Sequence, residues 1–448
     1  MMGEYINIEP HPDSHHIIEE FQERITMLHR FMKEADMSLS VNRILPYFKN
    51  CWTSNLIGMP IRYAGDVHQM FSKEWLQYLR TLSETMCDRS KKGEVAVSKY
   101  VKFQLLNQML SYYLGIADAS TTYNYLVGLE KLLDHKRMTC IEEFDDETLD
   151  CFNLLTRSFI DLSKENICYQ DRVFDVFDYL MDVYTHFPSS DYLEHVVDGF
   201  ICTYMIPLLG YLSKREALVA LLKLTVFRQP QTVFHTVMVS ECAKVVTSYM
   251  IELKPELLLG ILDCQSVSDV MERRADLLDY VKEAALLHDV GKIVCTNVIN
   301  MQYRKSIDIE FEVIKFHPST SQSILNQIPS LKEFSDIAAA HHKGYDGSFG
   351  YPADFDNTKS DKKILIDLIT VCDTLDAATD YLGRSYAKTK SLDEVIEEMK
   401  AQADVRYAKS IVDLIDGCEP LQIKLNELLH YSREQICRNV YEYIKKSR

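Results

Sequence analysis

Apolar residues recur three and four positions apart through most of the first half of this chain, from about Arg24 to about Arg228. Val97–Ile116 (VSKYVKFQLLNQMLSYYLGI) and Arg172–Phe187 (RVFDVFDYLMDVYTHF) show the pattern well. A period near 3.6 predicts amphipathic helices. No fixed longer period names a repeat family, although paired helices of this kind can stack as a solenoid. Breaks fall at Lys91-Lys92-Gly93, at the acidic Glu142–Asp150 stretch and at Pro188–Asp191. Arg228-Gln229-Pro230 then marks the entry to a second helical unit, because proline favours a helix start. The expectation is an all-α protein, with one helical domain over residues 1–227 and a second over 228–448.

Composition agrees with that reading. Of 448 residues only 15 are Gly and 12 are Pro, and no proline falls between Pro60 and Pro188. With 47% hydrophobic residues the chain can bury more than one core. The formal net charge of −17 argues against a polymeric nucleic acid or an anionic membrane as partner. It leaves room for a small anion drawn to a local cation. Twelve cysteines stand singly, with no Cys-x-x-Cys pair, which is the usage of reduced thiols. The opening MMGEYINIEPHPDSHHIIEE lacks the features of a signal peptide. The most apolar stretch, Phe200–Leu212, is too short to span a bilayer and reads as a buried helix. A soluble cytoplasmic protein without membrane insertion is expected. His11, His15, His16, His29, His68, His135, His186 and His195 share no helix face, so the first half reads as chemically silent.

The second half differs. His235 shares a helical stripe with Val239, Cys242 and Val246, and His288 lies in line with Leu277, Val281 and Ala285. His341 continues Leu331, Phe334, Ile337 and Ala338, with His342 one position around. Asp373 continues Ile366 and Ile369, and Asp376 sits one turn further. In each case an ionisable group projects from the face that should be buried. One such histidine is ordinarily a hydrogen-bonded core residue. Four stripes ending in His or Asp require mutual neutralisation or a bound cation, because burying bare imidazoles and carboxylates together is costly. Neutral imidazoles and ionised carboxylates are the natural nitrogen and oxygen ligands of a divalent metal.

The order His235, His288-Asp289, Asp373 resembles the H…HD…D signature of the HD-domain metal-dependent phosphohydrolases. It is similar to the HD-GYP subgroup of cyclic dinucleotide phosphodiesterases in further segments: LLHDVGK, FEVIKFHP ending at His317-Pro318, HHKGYDGSFGYP over 341–352, VCDTLDAATD, and Arg384-Ser385-Tyr386. The likeness spans about residues 228–416, and the long His235–His288 interval suggests an insertion near Asp263–Arg274. The resemblance implies an HD-type helical bundle around a buried dinuclear metal site. His235, His288, Asp289 and Asp373 would hold one divalent transition metal, iron or manganese. His317, His341 and His342 would hold the second, with Asp289 bridging, and a water or hydroxide between the metals would attack phosphorus. Asp289 and Lys292 carry the expected catalytic roles. Lys292, Gly350, Tyr351, Asp376 and Arg384 carry the expected substrate contacts.

This chain also departs from the subgroup. Gln231 stands where some members place a metal-binding Glu, so two metals are expected rather than three. Lys343 replaces a Glu after the His pair, Phe349 is an extra residue before Gly-Tyr-Pro, and Ala353-Asp354 follows it. Gln302–Lys305 stands where Lys-Pro-Gly is expected. The metal ligands are thus kept while the substrate loops differ. A cyclic dinucleotide such as cyclic di-GMP is the first expectation. Another nucleotide phosphate ester, or a catalytically weak nucleotide-sensing scaffold, are the alternatives. The N-terminal helices are expected to serve regulation, through a homodimer or a protein partner.

Overall fold

The computed structural model describes residues 57–61, 67–90, 96–134, 145–173, 175, 176, 179, 205–295, 307–382 and 389–446. These residues form helices and turns; among them β structure is limited to two isolated bridges. The all-α expectation holds. The chain divides into two compact units, residues 1–208 and 209–448.

In the first unit, α1 (Lys73–Ser90), α2 (Val97–Tyr113), α3 (Ala119–Asp134) and α4 (Asp146–Ser163) pack around α2. Helix α2 is buried on nearly all sides, which encloses even Lys102. Its ammonium is paired with Glu147 at 3.0 Å and Asp150 at 2.5 Å. A buried cation left alone would be expensive, and the two carboxylates neutralise it. Of the acidic stretch expected as a break, residues 142–144 lie outside the described residues and 145–150 form a helix start. Asp145 caps α4 by accepting from the Glu147 amide, and acidic residues suit a helix N-terminus.

The second unit opens with α5 (Lys214–Arg228), whose Ser213 and Glu216 cap each other's backbone amides. Pro230 then starts α6 (Pro230–Leu253), as the sequence indicates. There follow α7 (Val267–Glu272), α8 (Arg274–Leu287) and a 3-10 turn at Val290–Val294. After these come α9 (Asp308–Ile314), α10 (His317–Asn326), α11 (Ser335–Ala340) and α12 (Lys363–Thr379). Helices α13 (Leu392–Ala401), α14 (Lys409–Asp416), α15 (Glu419–Asn426) and α16 (Arg433–Lys446) complete the unit. Helix α6 packs along α8 and α12, while α10 packs on α11 and on the 3-10 turn. The apolar stripes form this core: Val239, Cys242, Val246, Leu277, Val281, Ala285, Phe334, Ile337, Ile366 and Ile369 are all buried. Short helix α7 and two 3-10 turns occupy the interval where an insertion was expected.

The division between units falls one helix earlier than Pro230 suggested. Helix α5 packs on α6, α8 and the 3-10 turn. Lys214 pairs with Glu283 at 2.7 Å and Glu333 at 3.0 Å, and Arg228 Nε donates to the Ile293 carbonyl at 3.3 Å. Pro230 marks a helix start, with Gln229 as the joint between α5 and α6. Among the described residues no helix is long and apolar enough to cross a membrane. Of the expected helix Phe200–Leu212, residues 200–204 lie outside the described residues, and the helical part is Ile206–Leu209. Of the eight N-terminal histidines only His68 is described.

These contacts predict where the chain tolerates truncation. A variant beginning at Leu209 should unfold in one cooperative thermal transition. A variant beginning at Arg228, which lacks α5, should melt at a lower temperature because it exposes α8 and the 3-10 turn. Equal melting temperatures would show that α5 is dispensable to the second unit.

Candidate metal centre

His288 is the residue at which α8 ends, and Asp289 follows before the 3-10 turn. Helix α8 buries Leu277, Val281 and Ala285, so its last side chain is carried into the core with them. Both His288 and Asp289 are almost fully buried, at 0% and 1% exposure. His317 opens α10 and His341 closes α11, each buried as well. His235 lies on the second turn of α6, and Asp373 on α12.

Three imidazoles are held in the same way. His288 Nδ1 lies 2.6 Å from the Ala285 carbonyl, His317 Nδ1 2.6 Å from Ile314 and His341 Nδ1 2.7 Å from Ala338. A carbonyl oxygen only accepts, so each Nδ1 carries the hydrogen and, in the neutral ring, each Nε2 presents a lone pair. Those lone pairs converge. His317 Nε2 is 3.3 Å from His341 Nε2. Asp289 Oδ1 is 3.1 Å from His317 Nε2 and 3.6 Å from His341 Nε2. Asp289 Oδ2 is 3.4 Å from His288 Nε2 and 3.5 Å from His235 Nε2. Asp373 reaches His235 Nε2 with Oδ1 at 3.0 Å and faces His342 with Oδ2 at 3.9 Å. Two groups of ligand atoms result, each within 4.8 Å: His235, His288 and Asp373, and Asp289, His317, His341 and His342.

Lone pairs facing lone pairs in a buried space repel unless a cation lies among them. His288 Nε2 and Asp289 Oδ1 are buried with no hydrogen-bond partner. The donor set, imidazole nitrogen with carboxylate oxygen, fits a divalent transition metal. Protonation favours binding too. Burial pushes His317 down, lowers His341 to about 4, and with the neighbouring His341 holds His342 well below the ordinary histidine range. Burial alone would raise Asp289, but the charge of Lys292 together with the neighbouring His288 and His317 outweighs it and holds the carboxylate well below its usual range. Asp373 is likewise held low against burial by His235. These are the ligand-ready forms. His235 is the exception: burial opposes its proton, yet bonds to Asp373 and Asp376 hold it up at about 9.

The remaining expected residues fall in different places. Lys292, on the 3-10 turn, is ion-paired with Asp289 Oδ2. Tyr351 is half-buried, with its ring 4.7 Å from that of His342. Gly350 has φ +95°, and a β-carbon there would lie 2.2 Å from the His342 carbonyl. Its glycine is therefore required for the loop to close against the His pair. Asp376 requires a correction. It was expected to touch substrate, but it is 1% exposed and lies 2.6 Å from His235 Nδ1. Its carboxylate contacts that imidazole from within the core. Arg384 and Gln302–Lys305 lie outside the described residues. Gln231 is exposed.

Several contributors were not singled out by the sequence reading. A β-carbon at Gly291 would lie 2.1 Å from the His317 carbonyl, so only glycine lets α10 approach this closely. The Gly291 amide donates to Ser321 Oγ at 2.8 Å, and that hydroxyl donates to the His288 carbonyl at 3.1 Å. Thr370 Oγ1 donates to the His341 carbonyl at 2.8 Å, and Asn357 Nδ2 to the Gly344 carbonyl at 2.9 Å. The Gly in LLHDVGK was the available signal for the first of these. The hydroxyl partners leave no trace in spacing. The extra residue Phe349 packs its ring over Gly344, where a β-carbon would lie 2.5 Å from it.

The sequence of this unit has known counterparts. Residues 248–411 match the HD domain family, and the second unit therefore carries an HD domain. The match leaves out His235, which the geometry adds. Among its relatives, a cyclic di-GMP phosphodiesterase of Thermotoga maritima is 31% identical over 135 residues, 30% of this chain and 35% of that protein. The 3'3'-cGAMP-specific phosphodiesterase 3 of Vibrio cholerae is 27% identical over 137 residues, 30% of this chain and 29% of that protein. The 3'3'-cGAMP-specific phosphodiesterase 2 of the same organism is 28% identical over 158 residues, 34% of this chain and 29% of that protein. The chain thus matches about a third of the length of these relatives, consistent with the HD-GYP-like subgroup.

Two measurements address the centre directly. Asp289→Ala should remove both metal equivalents together in elemental analysis, because its two oxygens face both groups; retention of either equivalent would contradict bridging. The metal-stripped protein should lose stability as pH falls from about 6.5 toward 4. His341 has a folded value of about 4 against an ordinary 6.5, so acid favours the unfolded chain, which binds more protons. Urea midpoints that stay flat across that window would exclude this linkage.

Proposed function

We propose that the second unit hydrolyses a phosphodiester bond of a cyclic dinucleotide, using two divalent transition metals, iron or manganese. The observation that carries this reading is the placement of Asp289, whose Oδ1 faces His317 and His341 while Oδ2 faces His235 and His288. One carboxylate between two imidazole groups is the arrangement of a bridging ligand. His235, His288, Asp289 and Asp373 would hold one metal, and His317, His341, His342 and Asp289 the other. Bound there, the metals would supply Lewis acidity and an activated water at neutral pH.

The chain's own groups do the rest. The backbone carbonyls behind His288, His317 and His341 fix the rings, so the ligand lone pairs are preorganised. Lys292 lies at the edge of the centre, 19% exposed, where its ammonium can leave Asp289 for a phosphoryl oxygen. Tyr351, against His342, offers a ring face to a nucleobase. Gly350 shapes that loop, and Arg384 is assigned a phosphate contact from its motif alone. The relatives' names divide between cyclic di-GMP and 3'3'-cGAMP, which supports the cyclic dinucleotide class and leaves its bases to experiment. The first unit, whose described buried charges are internally paired, is assigned to regulation or partner binding in a cytoplasmic protein.

The test is incubation of the metal-loaded chain with cyclic di-GMP, 3'3'-cGAMP and a mononucleotide ester, with products separated by chromatography. Linear dinucleotide or mononucleotide release from a cyclic substrate is expected, and turnover of the monoester alone would redirect the reading to a nucleotide phosphatase. Lys292→Ala should keep both metals while losing about 10²–10³ in turnover, the usual cost of removing one transition-state contact. Wild-type turnover by that variant would leave Lys292 as only a partner of Asp289.

A further inference from the structure

Asp376 does more than accept from His235. While Oδ2 lies 2.6 Å from His235 Nδ1, Oδ1 lies 2.7 Å from Arg433 Nη1. Arg433 is the first residue of α16 and is 3% exposed. Its guanidinium is fully committed in this region: Nε donates to the Leu429 carbonyl at 3.0 Å, Nη2 to Thr379 Oγ1 at 3.1 Å and to the Asp376 carbonyl at 3.5 Å, and Nη1 lies 3.5 Å from Asp380. A single turn of π-helix, Glu427–Ser432, immediately precedes it. Such turns are rare and cluster at functional positions, since the extra residue rotates the next helical turn about the axis. Here it delivers Arg433 into the end of α12.

The geometry points to Arg433 as a positioning residue for the candidate metal centre, acting through Asp376 to fix the orientation of His235. Only Nη1 reaches the Asp376 carboxylate, but it belongs to a rigid planar group whose other nitrogens are tied to Leu429 and Thr379, so the contact is held in one place as a flexible ammonium's would not be. The fixed carboxylate in turn sets which way the His235 ring faces, leaving Nε2 toward Asp289 and Asp373. Carboxylate partners of this kind commonly change metal affinity by about 10–100-fold when lost. The other three buried imidazoles lean on backbone carbonyls and need no such support. Both His235 and Arg433 lie outside residues 248–411, so the segments flanking the HD match would complete one of its two metal sites. This inference rests on the two-metal reading above.

The experiment uses the full chain, stripped by chelator and titrated with Co(II), with affinities taken from competition against a chromophoric chelator. Removing the guanidinium alone, in Arg433→Met, strands a buried carboxylate and threatens folding. The paired variant Asp376→Asn/Arg433→Gln removes both charges and keeps an acceptor for His235 Nδ1. The paired variant should melt near the wild type without metal, yet bind one of two cobalt equivalents about 10–100-fold more weakly, with the other unchanged and the visible cobalt spectrum of the weakened site altered. Arg433→Lys, which keeps the charge but not the fork, should fall between the two. Wild-type affinity at both sites in the paired variant would overturn the inference. So would equal weakening of both sites, since that marks a general packing role. A wild-type chain that takes up no cobalt would instead sink the two-metal reading, and this inference with it.

Discussion

One carboxylate organises the second unit. Asp289 is buried at the point where α8, α10, α11 and α6 meet, with imidazole nitrogens on both of its oxygens. The hydrophobic effect assembles the helices, but it also forces these polar ends together in a space from which water is largely excluded. The fold therefore carries a built-in electrostatic demand for positive charge at its centre. Lys292 meets part of it, as does the proton on His235. A divalent cation would meet it more completely. Stability and chemistry are thus coupled through the same few atoms.

The site residues were legible because the helical stripes carry them. An ionisable group in line with buried Leu, Val and Ile is carried inward with them: His288 and His341 are buried, and Asp373 is 14% exposed. His317 was reached only by resemblance. What escaped the sequence was the support behind the ligands. Ser321, Thr370 and Asn357 act through hydroxyl or amide bonds, which any surface position of the same type would equally suggest. Asp376 lies on the expected helix, but its contact with His235 was not foreseen, because periodicity does not say which group a buried carboxylate faces. The contacts of α5 were not legible for a related reason. A proline announces a helix, and only tertiary contacts such as Lys214 to Glu283 and Glu333 say which unit owns it.

The loop around Tyr351 shows how a family pattern can absorb change. Phe349 stacks on Gly344, and the Lys343–Gly350 bridge closes the loop across it. The extra residue is thus taken up within the turn, leaving the ring of Tyr351 against His342. Selectivity among substrates can vary in such a loop while the imidazole cluster stays fixed, since different elements hold each.

The carbonyls that orient His288, His317 and His341 belong to the last turns of α8, α9 and α11. Three helices therefore end at the centre, and the C-terminal end of a helix carries partial negative charge. Their summed field points cations inward before any ligand bond is made. It also raises the electron density of each ring, because a hydrogen bond to a negatively polarised carbonyl makes the opposite nitrogen a stronger base. The backbone itself thus tunes the donor strength of this cluster, through helix direction, which side-chain substitution leaves in place.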